Sequence, residues 1–169
     1  MHANSLRLFH GYAYPHFTKD SVVLEVSPGE VSLQAPNRRW DTTGIVPNSS
    51  LTFLSEENHL AASDNSYDIV LSTNVLEHVR MPWVMVKEQV RVCRSGGLVI
   101  NIVPANWPYH EDPIDCWRIF PDGMLALLKY AGLNLVECRG LWGDLTDEEK
   151  PHFYKDSLAL DVIGVGKKP

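Results

Sequence analysis

Strand-like runs alternate with helix-like stretches along this chain. That alternation constrains the fold more than any other feature, because it calls for an α/β domain with a parallel or mostly parallel sheet. The run at residues 21–26 (SVVLEV) is short, apolar and β-branched, and it stops at the turn-forming Ser27-Pro28-Gly29. Residues 40–46, 51–54 and 67–72 read as three more strands, the last introduced by a polar turn at 63–66. A helix is expected over residues 81–94, with Pro82 in its first turn, where a missing N–H costs nothing. Trp83, Val86, Val90 and Cys93 recur at helical spacing and are expected to face the sheet, with Gly96-Gly97 ending the helix. Residues 98–103 (LVINIV) follow as a buried strand. Pro121 and Asp122 open a second helix with Met124, Leu125 and Leu128 on one face, and Gly132 closes it. Strands at 133–138 and 158–165 complete a Rossmann-like sheet of about seven strands in one domain, with an antiparallel strand at its end.

The first half of this plan is tight. About forty residues separate the first strand from the fourth, yet three connections lie there, and a parallel crossover normally takes a dozen or more residues. Helices in the N-terminal half are therefore expected to be short or absent. One face of the sheet is then left for residues 6–17 to cover, or for a partner, which makes a homodimer through this half an expected assembly.

A chain of 169 residues with 44% hydrophobic and 21% charged residues suits one domain with one core. Its net charge of −6 argues against a nucleic-acid binder, which needs a basic surface to neutralise phosphates. The three cysteines, Cys93, Cys116 and Cys138, form no CxxC pair, so neither a disulfide framework nor a cysteine zinc site is expected. Residues 1–10 carry no long apolar run or cleavage motif, and no stretch approaches the ~18 apolar residues of a membrane span. A cytoplasmic protein without a membrane partner is the expectation.

Two segments carry a family resemblance. VVLEVSPGE (22–30) resembles the first motif of class I S-adenosylmethionine-dependent methyltransferases, a strand followed by an acidic residue and a glycine-rich turn. DNSYDIVLSTNVLEHV (64–79) and RSGGLVINIVP (94–104) resemble later parts of the same domain, specifically its type 11 form, and the likeness runs over roughly residues 14–138. A compact subgroup shares a loop similar to NWPYHEDPIDCWRIFPDGM (106–124). The resemblance implies methyl transfer from S-adenosylmethionine, with the cofactor at the carboxyl ends of the strands, to a small-molecule or sugar-like acceptor. It places Glu25, Ser27, Gly29, Glu56, His59, Ser72 and Asn74 around the cofactor. The chain departs from the pattern in two places. Only Gly29 remains of the glycine turn, and the second strand ends in Thr43-Gly44-Ile45-Val46, without the carboxylate that would accept the ribose hydroxyls. These departures allow a second reading, a catalytically inactive methyltransferase-like module for binding or oligomerisation. A nicotinamide dinucleotide site is disfavoured, since no GxGxxG follows the first strand.

Each candidate also has a plainer role. Glu25 reads equally as a strand-end carboxylate satisfied by local N–H groups, and Glu56 as a solvated loop charge. His78, in Leu76-Glu77-His78, is either a structural histidine or a general base, for which an imidazole pKa near 6.5 is suited. His110 is the other candidate base. Its loop packs Tyr109, His110, Asp112, Asp115, Trp117 and Arg118 into ten residues. That density reads as an Asp115–Arg118 pair that staples the loop, as a substrate-side lid built from Trp107, Tyr109 and His110, or as a His110–Asp112–Asp115 metal cluster. The last is the weakest reading, and no metal site is expected. The acidic run 144–149 reads as a solvated loop.

Overall fold

The computed structural model describes residues 3–28, 32–34, 38–46, 51–111, 113–142 and 159–169. Gly29, Asp112 and the acidic run 144–149 lie outside the described residues. Strands β1 (Val23–Val26), β2 (Trp40–Gly44), β3 (Phe53–Leu54), β4 (Tyr67–Thr73), β5 (Cys93–Pro104), β6 (Asn134–Trp142) and β7 (Ala159–Lys167) form one sheet in the order β3-β2-β1-β4-β5-β7-β6. The first five run parallel, and β7 is antiparallel to both β5 and β6. The expected Rossmann-like α/β architecture is therefore present, with β7 inserted between β5 and β6.

Helices α2 (Pro82–Val92) and α3 (Pro121–Tyr130) cover one face. Their Met85, Val86, Val92, Met124 and Leu128 join Leu24, Val26, Val70, Val99 and Val103 in a single core. The other face is closed by the N-terminal segment: α1 (Ala3–Leu8), a π-helical turn at Phe9–Ala13 and a 3₁₀ turn at Tyr14–His16. Leu8, Phe9 and Ala13 bury against Val23, Ile69, Leu71, Ile100 and Ile163. The N-terminal segment, one of the two expected covers, thus lies on this face. Phe17 stacks on Trp40 at 5.7 Å between ring centroids and extends this cover toward β2.

Several boundaries differ from the sequence expectation. The helix ends at Val92, and Cys93 is already extended, so Gly96 and Gly97 belong to β5. There the register to β4 slips between Tyr67–Cys93 and Ile69–Leu98 pairing. Gly96 takes a φ of +77°, and a Cβ on Gly97 would sit 2.7 Å from the Asp68 carbonyl oxygen. Those glycines make an irregular strand possible rather than capping a helix. Trp83 does not face the sheet; it is exposed and meets Trp117 edge-on at 6.0 Å. Strand β2 stops at Gly44, leaving Ile45 and Val46 exposed. No helix among the described residues is long and apolar enough to cross a membrane.

Candidate active site at the carboxyl ends of β1 and β4

The strand order reverses between β1 and β4, and an open α/β sheet places its ligand crevice at such a switch point, beyond the strands' carboxyl ends. Two non-glycine residues with left-handed backbone flank it: Ser27 after β1 (φ 48°) and Asn74 after β4 (φ 56°). Each such residue costs of order 1 kcal/mol and persists where the surroundings enforce it, as functional crevices do. The Asn74 N–H donates to the Ile102 carbonyl at 2.8 Å. The Ser5 hydroxyl lies between Asn74 Oδ1 (3.1 Å) and Asp161 Oδ2 (2.9 Å), tying α1 to the ends of β4 and β7. Asn74 Nδ2 and Thr73 Oγ1 are buried without a hydrogen-bond partner.

The other expected cofactor residues divide. Glu25 is 1% exposed, and its carboxylate accepts from the Ser32 hydroxyl, the Leu33 N–H and the Trp40 indole N–H (2.9 Å). It points inward and holds Ser32, Leu33 and Trp40, which matches the plainer of its two readings. Burial raises its pKa, and those three donors pull the other way. Ser72 is also turned inward, donating to Asn101 Oδ1 at 2.5 Å. Glu56 and His59 close a tight turn through reciprocal backbone bonds of 3.1 Å, with Asn58 at φ 62°. The His59 ring is exposed and lies 3.1 Å from Glu88 on α2, while the Glu56 side chain is exposed. Asp41, the second residue of β2, is held by Arg39 (2.9 Å) and accepts from the Tyr67 hydroxyl (2.9 Å). It pairs with Leu24 in mid-sheet. The end of β2 therefore offers hydroxyls in place of a carboxylate: Thr43 Oγ1 and Ser55 Oγ lie 2.6 Å apart.

On the β1–β4 side, the unpartnered Thr73 Oγ1 and Asn74 Nδ2 are polar groups of the kind a nucleoside-bearing cofactor would meet. On the β2 side, the described residues would offer its ribose the neutral hydroxyls of Thr43 and Ser55.

Two residues beyond Asn74 begins a single 3₁₀ turn (Leu76–His78) that carries the buried Glu77 and the half-buried His78. The loop at 105–120 folds back onto that turn. Cys116 N–H donates to the Glu77 carbonyl at 2.7 Å, and Trp117 Nε1 donates to the Val79 carbonyl at 2.9 Å. Arg118 clasps Asp115 through two contacts of 2.5 and 2.6 Å and reaches the carbonyls of Trp107 and Pro108 at 2.9 Å each. The stapling pair is thus real, and Arg118 holds the Asp115 pKa down to about 2. Held this way, His110 packs edge-on against His78 with 4.9 Å between ring centroids. The two candidate bases, 32 positions apart in sequence, are neighbours.

Sequence reasoning passed over Glu77. It is fully buried, and neither carboxylate oxygen meets a donor from another residue. Burial lifts its pKa to about 8, with Asp161 and Asp115 adding to the rise and Arg118 opposing it. A Leu-Glu-His triplet signals a family position but cannot announce that the acid is desolvated. Ser5 and Asp161, far away in sequence, were likewise missed.

A sheet in this order, with its polar crevice at the β1–β4 switch, defines the class I S-adenosylmethionine-dependent methyltransferase fold. Residues 9–101 match the methyltransferase domain family, more than half of the chain, and the chain belongs to that family. An uncharacterized methyltransferase of Mycolicibacterium paratuberculosis is 38% identical over 93 residues, 53% of this chain and 34% of its own length. One from Mycolicibacterium gilvum is 40% identical over 79 residues, 47% of this chain and 28% of its own length. The chain spans about a third or less of the length of these curated relatives. Among solved structures, a candidate methyltransferase from Bacillus halodurans superposes with a TM-score of 0.73 at 14% identity, covering 99% of this chain and 100% of that one. A SAM-dependent methyltransferase from Archaeoglobus fulgidus gives 0.67 at 12% identity over 98% and 93%. At such identities the likeness speaks for the fold.

Proposed function

We propose that this domain binds S-adenosylmethionine and transfers its methyl group to a small-molecule or sugar-like acceptor. One observation carries the reading: the orphaned polar atoms of Thr73 and Asn74 and the pair Glu77–His78 lie along one continuous stretch at the end of β4, and His110, from the loop after β5, packs on His78. That neighbourhood supports a reading in which the cofactor and the proton-accepting groups lie side by side. The cofactor supplies an electrophilic methyl on a sulfonium, so the protein's task is to position the acceptor and take its proton. Asn74 and Thr73 offer the cofactor one donor and one hydroxyl. His78 or His110 accepts the proton, since an imidazole near neutrality is suited to it. The stapled loop, with Tyr109 exposed at its tip, walls the acceptor side.

Calorimetric titration with S-adenosylmethionine and S-adenosylhomocysteine tests the cofactor step. Micromolar binding, weakened at least tenfold by Asn74→Leu, is expected. The absence of heat at millimolar ligand from a folded sample would overturn the reading and turn attention to a non-catalytic module.

A further inference from the structure

We infer that Glu77, His78 and His110 form a binding site for a divalent transition-metal ion of the zinc class. Each residue offers one ligand atom, and these atoms all lie within 4.8 Å of one another. This is a different set from the His110–Asp112–Asp115 spacing visible in the sequence. Asp115 is committed to Arg118, and Glu77 and His78 arrive from another part of the chain.

Four features distinguish the cluster from a chance gathering of polar groups. Glu77 is wholly buried and its two oxygens are orphaned, an arrangement that costs several kcal/mol unless a cation or a proton meets it. The ring of His78 is fixed through Nδ1 by the Ile114 carbonyl, which leaves Nε2 facing Glu77 Oε1 at 3.7 Å. The His110 Nδ1 lies 3.1 Å from the Pro108 carbonyl and 3.3 Å from Asp115 Oδ2, which leaves its Nε2 as the free lone pair. A carboxylate or carbonyl behind each imidazole is the usual support of a metal-binding histidine, since it fixes the tautomer and raises ligand basicity. Finally, the cluster is graded in exposure: the side chains of Glu77, His78 and His110 are 0%, 13% and 33% exposed. A fourth coordination position would therefore open outward, as in sites that exchange a bound group.

The distances are close to what an ion requires. Tetrahedral ligands about 2.0–2.1 Å from zinc are about 3.4 Å apart. The 3.7 Å pair is nearly there, and the longer separations contract by an ångström or so through rotation of the His110 side chain. Two imidazoles and one carboxylate suit zinc, cobalt, iron or manganese and disfavour magnesium and calcium, which take oxygen ligands. With an ion present the imidazoles hold it, and it would lower the pKa of an acceptor hydroxyl in their place; only this last point rests on the proposed methyl transfer.

The test uses chelator-treated full chain without S-adenosylmethionine or acceptor. Cobalt(II) is titrated by visible absorption and zinc by calorimetry, with magnesium as the counter-example. The expected result is stoichiometric cobalt binding with the intense bands of a four- or five-coordinate site, and no response to magnesium. Glu77→Gln and His110→Ala should each lower affinity more than ~100-fold, and Asp115→Asn, which removes the support behind His110, by ~10–100-fold. His16→Ala, on an exposed turn, should leave affinity unchanged. Circular dichroism establishes that each variant is folded. No cobalt bands and no zinc heat from folded protein would overturn the inference, as would affinity unaltered in both Glu77→Gln and His110→Ala. A chain that binds cobalt but not S-adenosylmethionine would sink the methyltransferase reading alone, and the reverse result would sink the metal site alone.

Discussion

Replacing Arg118 with Met should release the loop that carries His110. The guanidinium makes two charge-assisted contacts to Asp115, at 2.5 and 2.6 Å, and reaches the carbonyls of Trp107, Pro108 and Trp117 at 2.9, 2.9 and 2.8 Å. The Asp115 side chain is 1% exposed, so the substitution leaves a buried carboxylate with the His110 N–H, at 2.8 Å, as its main remaining support. Breaking a buried pair on one side costs about 3–5 kcal/mol. Arg118 is 23% exposed, so water can enter the vacated space, which argues for the low end, about 3 kcal/mol. A cost of that size raises the population of the open loop by roughly 100-fold. Hydrogen exchange across residues 105–120, with urea unfolding in parallel, is the assay. The double variant Asp115→Leu with Arg118→Met should recover a large share of the loss, since an apolar pair leaves no stranded charge. Unchanged exchange in Arg118→Met would refute the reasoning. So would an Asp115→Leu cost that is the same with and without Arg118.

Glu25→Ala should destabilise the fold by about 2–4 kcal/mol, because it strands the buried Trp40 indole N–H and the Leu33 N–H; a melting temperature within a degree of wild type would show that the carboxylate is not a structural anchor. Tyr67 supplies a pH signature. Burial and its bond to Asp41 raise the phenol from 10.0 to about 12, so the folded chain keeps a proton that the unfolded chain releases. The contribution is complete below pH 10 and is lost as pH rises toward 12. Its size is at most about 2 kcal/mol after allowance for solvent screening. Urea unfolding across this window should show a steeper decline for wild type than for Tyr67→Phe, and equal slopes would contradict the assignment.

Local pattern and tertiary context contributed differently to the site. The strands at 21–26, 67–72 and 98–103 were legible because a run of β-branched residues can be satisfied only in a buried sheet. The α/β class was legible from the alternation of strands and helices, whereas the antiparallel strand, expected at the end of the sheet, lies between β5 and β6. The roles of Glu25 and Ser72 were not. A strand-end carboxylate looks the same in sequence whether it faces a ligand or turns back onto Trp40. The missing acid at the end of β2 was readable as an absence, but only the structure shows Asp41 engaged by Arg39 and Tyr67 and Thr43 meeting Ser55 in its stead. Cys93 and Gly96-Gly97 were assigned to the helix and its end for a related reason. Helical spacing continues past the last hydrogen-bonded turn, and glycine marks a strand irregularity as readily as a helix end.

By itself the sequence determined the layered α/β sheet, the order in which strands and helices alternate, and the membership of a methyltransferase family. The first two follow from short-range hydrophobic periodicity and turn chemistry, which act within a window of a few residues, and the third from the resemblance of residues 22–30, 64–79 and 94–104 to that family's motifs. Which polar groups face the crevice was decided only by the tertiary structure. Glu77 and His110 are 33 positions apart, and they meet because the Arg118–Asp115 pair folds one loop over the turn after β4. Burial then changes the chemistry of the acid it encloses. Desolvation and the neighbouring charges of Asp115, Arg118 and Asp161 act through space, and no local pattern along the chain encodes them.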